Sequence, residues 1–126
     1  MFELTVRDHI MIAHSLDDEF FGPARALHGA TLVAEVTWQR DQLDEHGVVL
    51  DIGDASTHLE AVLSDLNYRN LDEHPAFEGR LSTTEAIAQH IAQALVERMD
   101  LSAFRGIRVT LREHPDAWAT YHHPLS

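Results

Sequence analysis

The sequence predicts an α+β domain in which an antiparallel sheet carries two helices on one face. Three observations lead there. Residues 2–14 and 28–38 alternate apolar and polar side chains with a period of two. Residues 55–66 and 82–99 repeat apolar side chains at helical spacing. Residues 106–113 alternate again, so the chain closes on a returning strand. At 126 residues the chain fits one domain, 1–126, large enough for a core and close to the size at which association helps.

In the first strand Phe2, Leu4, Val6, Ile10, Ile12 and His14 share even parity, broken only by Asp8, which puts His14 at the end of a half-buried row. Asp17, Asp18 and Glu19 make an acidic turn. Phe20-Phe21-Gly22-Pro23 follows as a loop with an apolar anchor and two breakers, the kind that rims a pocket. His28, Ala30, Leu32, Ala34, Val36 and Trp38 share one parity in the second strand, so His28 opens its inner face as His14 closes that of the first. The charged stretch Arg40 to Gly47 leads into Val48-Val49-Leu50, a short apolar run that adds sheet.

Asp54 or Ser56 is placed to cap the first helix, whose apolar positions are Ala55, Leu59, Val62, Leu63 and Leu66. Asn67 to Pro75 ends it. Ser82-Thr83-Thr84-Glu85 has the S-x-x-E spacing of a capping box, ahead of Ile87, Ala88, Ile91, Ala94, Leu95 and Met99. Gly106 opens the last strand, in which Ile107, Val109, Leu111 and Glu113 share a face. Such a sheet leaves open edges, and a homo-oligomer is the common way to cover them.

Charge narrows the partners. Nine Lys plus Arg against 21 Asp plus Glu give a formal charge of −12, which repels phosphate backbones and anionic lipid, so neither nucleic acid nor membrane is expected. No run approaches the ~18 apolar residues of a membrane helix, and the N-terminus alternates where a signal peptide is continuously apolar. The expected location is cytoplasmic. The absence of cysteine excludes a disulfide framework, a thiolate metal ligand and a cysteine nucleophile. What remains is a set of polar groups ending buried rows: His14, His28 and Glu113. A buried carboxylate is costly without a partner, so Glu113 needs a ligand or cation. His46, His58, His74 and His90 fall in predicted loops or on polar helix faces and are expected to be solvated.

Ile12-Ala13-His14-Ser15-Leu16, Leu27-His28-Gly29, Val49-Leu50-Asp51-Ile52-Gly53-Asp54, Asn70-Leu71-Asp72, Ser82-Thr83-Thr84-Glu85 and Glu113 follow one another in a distinctive order. That order resembles the 6-pyruvoyl-tetrahydropterin synthases, and among them the bacterial 6-carboxytetrahydropterin synthases of queuosine precursor biosynthesis. The resemblance covers essentially the whole chain. It implies the tunnelling fold, or T-fold, in which paired strands from several subunits close a barrel, usually a hexamer of two trimers with sites between subunits.

The same resemblance implies a site of two halves. Family members hold zinc with three histidines; His14 and His28 match two of these metal positions, and the third is Ala30. A catalytic zinc takes about three protein ligands and one open position, so this set is incomplete. His9, His114 or the Tyr121-His122-His123 tail, of this or a neighbouring chain, stand as substitutes, and no spacing selects one. The family's cysteine position is Ala24, and its Asp-His pair aligns with Asn67-Tyr68. Asparagine carries no charge to orient a base, and a phenol of ordinary pKa about 10 is inefficient at neutral pH. In the plainer reading Tyr68 packs on the sheet and Asn67 turns the chain. By contrast Glu113 matches the glutamate that accepts the 2-amino-pyrimidinone edge of a pterin, and Thr83 and Thr84 match the hydroxyls lining that pocket. Two functions follow from the resemblance. One is a protein that binds a pterin or purine-like heterocycle without the zinc-dependent lyase reaction. The alternative is an active lyase on a dihydropterin triphosphate or related substrate, with Tyr68 and Asn67 as altered catalytic candidates.

Overall fold

The structure is a computed structural model describing residues 1–126. Strands β1 (Phe2–His14) and β2 (His28–Arg40) are of equal length and pair antiparallel end to end, from Phe2 opposite Arg40 to His14 opposite His28. A one-residue slip would turn Ile10, Ile12, Leu32 and Ala34 out of the core, so burial fixes the register that sets the two histidines face to face. Helix α1 (Ile52–Ser64) and helix α2 (Thr84–Arg98) cover one face of the sheet. Strand β4 (Gly106–His114) joins β2, and β5 (Ala117–Pro124) joins β4. The core lies between sheet and helices, around Trp38, Val36, Val109, Leu111, Leu59, Ile87 and Ile91. No helix is long and apolar enough to cross a membrane.

The opposite sheet face is polar and carries no covering element. Arg112 Nε donates to Glu35 at 2.9 Å, the Arg112 guanidinium lies 4.1 Å over the Trp118 ring, and the Thr5 and Thr37 hydroxyls are 2.7 Å apart.

Several expectations are corrected. The sheet is mixed, because the two-residue strand β3 (Arg69–Asn70) runs parallel to β1 at Ile12 and Ala13. Val48-Val49-Leu50 forms no strand: Asp44 Oδ1 accepts from the Val48 and His46 amides to hold a turn, and Val49 alone of the three is buried. Both edges of β2 are already taken by β1 and β4. Helix α1 begins before Ala55, with Asp51 as its N-cap in place of Asp54 or Ser56; its first turn, Ile52 to Asp54, is exposed and carries no apolar period. The segment expected as a Tyr121-His122-His123 tail is part of strand β5, in which half-buried Ala119, Tyr121 and His123 alternate with exposed Thr120 and His122. Phe20 is exposed and does not anchor its loop; Phe21 is half-buried.

The capping box is also corrected. The N-cap of α2 is Thr83, whose hydroxyl accepts from the Ala86 amide at 3.1 Å, while Ser82 is buried one residue outside the helix and Glu85 is exposed. Thr83→Ala is therefore expected to cost about 1 kcal/mol in urea unfolding, and Glu85→Ala to stay within about 0.5 kcal/mol. The reverse order would restore Glu85 as a capping residue.

His74 is buried rather than solvated. Its Nδ1 accepts from the Ala76 amide at 3.0 Å, so Nε2–H donates to Asp65 Oδ2 at 2.8 Å, and the residue caps the short turn Pro75–Phe77. His90 packs beside it, ring centroids 5.9 Å apart, and burial first, then the His74 imidazole, push its pKa below the usual value. Between about pH 6.5 and that lowered native value the unfolded chain binds more protons than the folded one. Stability from this group is thus complete above about pH 6.5 and falls as the pH drops through the native value. Melting at pH 7.5 and 5.5 is expected to show a smaller acid loss in His90→Gln than in the wild type; equal losses would contradict the assignment.

Candidate functional site

At the end of the sheet where β1 stops and β2 starts, Ser82, just ahead of α2, meets His14, and Thr84 in the first turn of α2 meets Glu113 of β4. His14 is buried, with Nδ1 2.9 Å from the Ser82 carbonyl oxygen and 3.0 Å from its hydroxyl. His28 Nδ1 is 2.8 Å from the Ala26 carbonyl oxygen. A carbonyl can only accept, so each Nδ1 carries a proton and each Nε2 is turned away from that carbonyl. The two rings are 4.6 Å apart between centroids and inclined at 64°. Burial, then the His28 imidazole, push the His14 pKa down against the opposing Ser82 bond, Asp72 and Glu113. His14 is therefore a neutral acceptor at pH 7.

Two residues support this pair in roles that their spacing does not announce. Ser82 fits a helix cap by spacing and instead meets His14. Asp72 takes the Ser15 amide at 3.0 and 3.1 Å and the Ser15 hydroxyl at 2.6 Å, fixing the chain as it leaves His14; Asn70 Oδ1 in turn accepts from the Asp72 amide.

Glu113 lies on the helix side of the sheet, as its parity predicts, and it is exposed, contrary to the expectation of burial. The ladder between β4 and β5 shifts between Arg112 and His114, leaving Glu113 as the extra residue of a bulge at the open end of the sheet. Bulges of this kind re-aim a side chain. The carboxylate reaches Thr84, whose hydroxyl donates to Oε2 at 2.9 Å. Oε1 is left free to accept. Glu113 borders two clefts: one of about 130 Å³ with Thr84, Trp118 and Ala119, and one of about 440 Å³ with Arg7, Glu35, Arg112 and His114 on the other face. Of the two threonines only Thr84 orients Glu113, since the Thr83 oxygen is engaged as the cap.

Asn67 and Tyr68 stand apart from this cluster. Asn67 Oδ1 accepts from the Met11 amide at 2.9 Å and the Tyr68 amide donates to the Met11 carbonyl at 2.7 Å, so the dipeptide serves the edge of β1 as a strand would. Tyr68 does not pack on the sheet: the residue is 79% exposed and its backbone is left-handed, φ 59°.

The donor set does not fit a resident zinc held by three histidines. Ala30 sits in the His28 row opposite Ile12, with a methyl where a third imidazole is required. No three His, Asp or Glu side chains converge as a metal would need. His9 is exposed beside Asp8, and His114 Nδ1 is taken by the Asp116 amide in the cleft on the other sheet face. Ala24, in the short helical turn Glu19–Arg25, has no exchangeable proton on its side chain.

Comparison with known proteins matches residues 3–124 to the sequence profile of the family described as 6-pyruvoyl tetrahydropterin synthase. The chain is 27% identical over 126 residues to the 6-carboxy-5,6,7,8-tetrahydropterin synthase of Bacillus subtilis, covering 95% of this chain and 84% of that protein. Its fold superposes on the 6-pyruvoyl tetrahydropterin synthase of Caenorhabditis elegans with a TM-score of 0.85 at 27% identity, covering 99% and 96% of the two chains. The Plasmodium vivax synthase gives 0.82 at 20% identity, with 98% of each chain covered.

Proposed function

Because the chain belongs to the 6-pyruvoyl tetrahydropterin synthase family, we propose that it binds a pterin or purine-like heterocycle at Glu113 and does not run the zinc-dependent lyase reaction. The observation that carries this is the pairing of a carboxylate held by Thr84, one oxygen free, with a histidine pair that lacks its third metal ligand. An ionised carboxylate is suited to two adjacent N–H donors of an amino-pyrimidinone edge, and each charge-assisted bond contributes roughly 1.5–3 kcal/mol. Calorimetric titration with pterins and guanine tests the proposal. Saturable binding to either is expected; no binding of both would contradict it.

One observation favours a second reading, an altered lyase. Tyr68 holds a left-handed backbone that costs a non-glycine residue about 1–3 kcal/mol, and such strain gathers at functional sites. Incubation with dihydroneopterin triphosphate decides between the two: a new pterin chromophore that Tyr68→Phe abolishes supports the lyase, and unchanged substrate supports the binder.

Assembly as a homo-oligomer, in the hexameric form usual for the family, is part of the proposal. It is supported by the unpaired outer edge of β5 and by β1, whose outer edge is covered only at Ile12 and Ala13. Light scattering that shows monomer alone at micromolar concentration would contradict it.

A further inference from the structure

We infer that Trp118 is an aromatic wall on which the heterocycle stacks, so that the site takes flat two-ring heterocycles in preference to single rings carrying the same hydrogen-bonding edge. The inference rests on Glu113 as the heterocycle anchor and adds a contact to the ring face, which a carboxylate cannot make.

The chain turns back between β4 and β5 at Pro115 and Asp116, and Trp118 returns opposite Arg112, beside the bulge that sets Glu113 out of the ladder. The Arg112 guanidinium lies 4.1 Å from the centre of the Trp118 ring, and Arg112 Nε donates to Glu35 at 2.9 Å. A cation thus covers one face of the indole, and Glu35 keeps that cation in place. The two clefts at Glu113 divide along this stack. Arg112 lines the larger and not the smaller, while Trp118 lines the smaller and not the larger. The indole face turned away from the guanidinium therefore belongs to the cleft of Thr84 and Glu113.

That cleft, about 130 Å³, suits a flat ring. Trp118 is the one aromatic residue lining it, and Ala117 and Ala119 on either side of it on β5 bring only methyl groups. Glu113 borders the same space with Oε2 held by Thr84, so a ring whose edge meets the carboxylate has its face within reach of the indole. Trp118 is 53% exposed, whereas Trp38, the other tryptophan, is wholly buried in the core. An indole that is open to solvent yet fixed by a stacked guanidinium loses little freedom when a ligand covers it. Stacking grows with the planar area shared, and it does not depend on the pattern of donors and acceptors at the ring edge. The second ring of a bicycle is therefore what Trp118 adds to recognition, beyond the amino-pyrimidinone edge read by Glu113.

The test is calorimetric titration of the full chain with unsubstituted pterin and with isocytosine, the single-ring 2-amino-pyrimidinone that carries the same edge. Wild type is compared with Trp118→Leu, Trp118→Phe and Glu113→Ala, each checked by thermal melting for an intact fold. Pterin is expected to bind the wild type about tenfold or more tightly than isocytosine. Trp118→Leu is expected to weaken pterin by about fivefold or more and isocytosine by less, while Trp118→Phe, which keeps a flat ring, stays within about threefold of the wild type. Undiminished pterin binding in Trp118→Leu overturns the stacking and leaves the Glu113 anchor standing. Equal losses of pterin and isocytosine in Trp118→Leu also overturn it, because the substitution then acts through the carboxylate and not on the ring face. So does a loss in Trp118→Phe as large as that in Trp118→Leu. Pterin binding that survives Glu113→Ala and falls in Trp118→Leu contradicts the anchor alone. A wild type that binds neither compound contradicts both.

Discussion

Glu113→Ala is expected to lower the affinity for a pterin by about 100-fold or more, with little change in the stability of the fold. The carboxylate can take two N–H bonds, each contributing roughly 1.5–3 kcal/mol, and about 1.4 kcal/mol is a factor of ten in affinity. Its only hydrogen bond within the chain is the one from Thr84, on an exposed bulge, so truncation opens no cavity and strands no buried group. Unfolding free energy should move by about 0.5 kcal/mol or less. Glu113→Gln keeps one acceptor oxygen and should fall between. Titration of the three proteins side by side checks this. An Ala variant that binds as tightly as the wild type would move recognition away from Glu113.

Under the proposed reading, Ala30→His is expected to create a zinc site by restoring the third imidazole beside His14 and His28. Position 30 follows His28 by two residues on the same strand face, about 6.7 Å along β2, and lies opposite Ile12, two residues from His14. Its side chain is half-buried in the row that contains His28. An imidazole there would join two others whose Nδ1 atoms are already anchored by carbonyls, the outer support that zinc-ligating histidines usually have. After equilibration with micromolar zinc and desalting, the wild type should retain less than about 0.2 zinc per subunit and the variant close to one, the count for a site with three protein ligands. A variant that stays empty would mean that the missing imidazole is not what excludes the ion. A fully loaded wild type would contradict the account of the donor set.

Much of this architecture could be read from single rows of side chains. The even rows of β1 and β2 put His14 at the end of one inner face and His28 at the start of the other; that the two stand opposite each other follows from the end-to-end register of the ladder. Glu113 was put on the correct side of the sheet by the same parity. Its exposure was not legible, because exposure depends on where the sheet ends and on the bulge at Arg112 and His114. Tertiary contacts account for the other differences. Ser82 fits a helix cap by spacing, and His14 claims it first, which moves the cap to Thr83. His74 lies in a polar loop by composition, and Asp65 at the end of α1 together with Phe77 and His90 closes over it. Val48-Val49-Leu50 shows that three apolar residues signal contact with the core, not a strand. Asn67-Tyr68 occupies the edge of β1 through backbone and amide groups, a role that residue identity does not announce.

The proposed division of the site into a recognition half that is kept and a metal half that is lost is tested most directly by one calorimetric experiment: titration of the wild-type chain with 7,8-dihydroneopterin in the presence of a zinc chelator. The account predicts saturable binding approaching one pterin per subunit, unchanged when zinc is supplied instead of chelator. Binding that vanishes with the chelator and returns with zinc would contradict it.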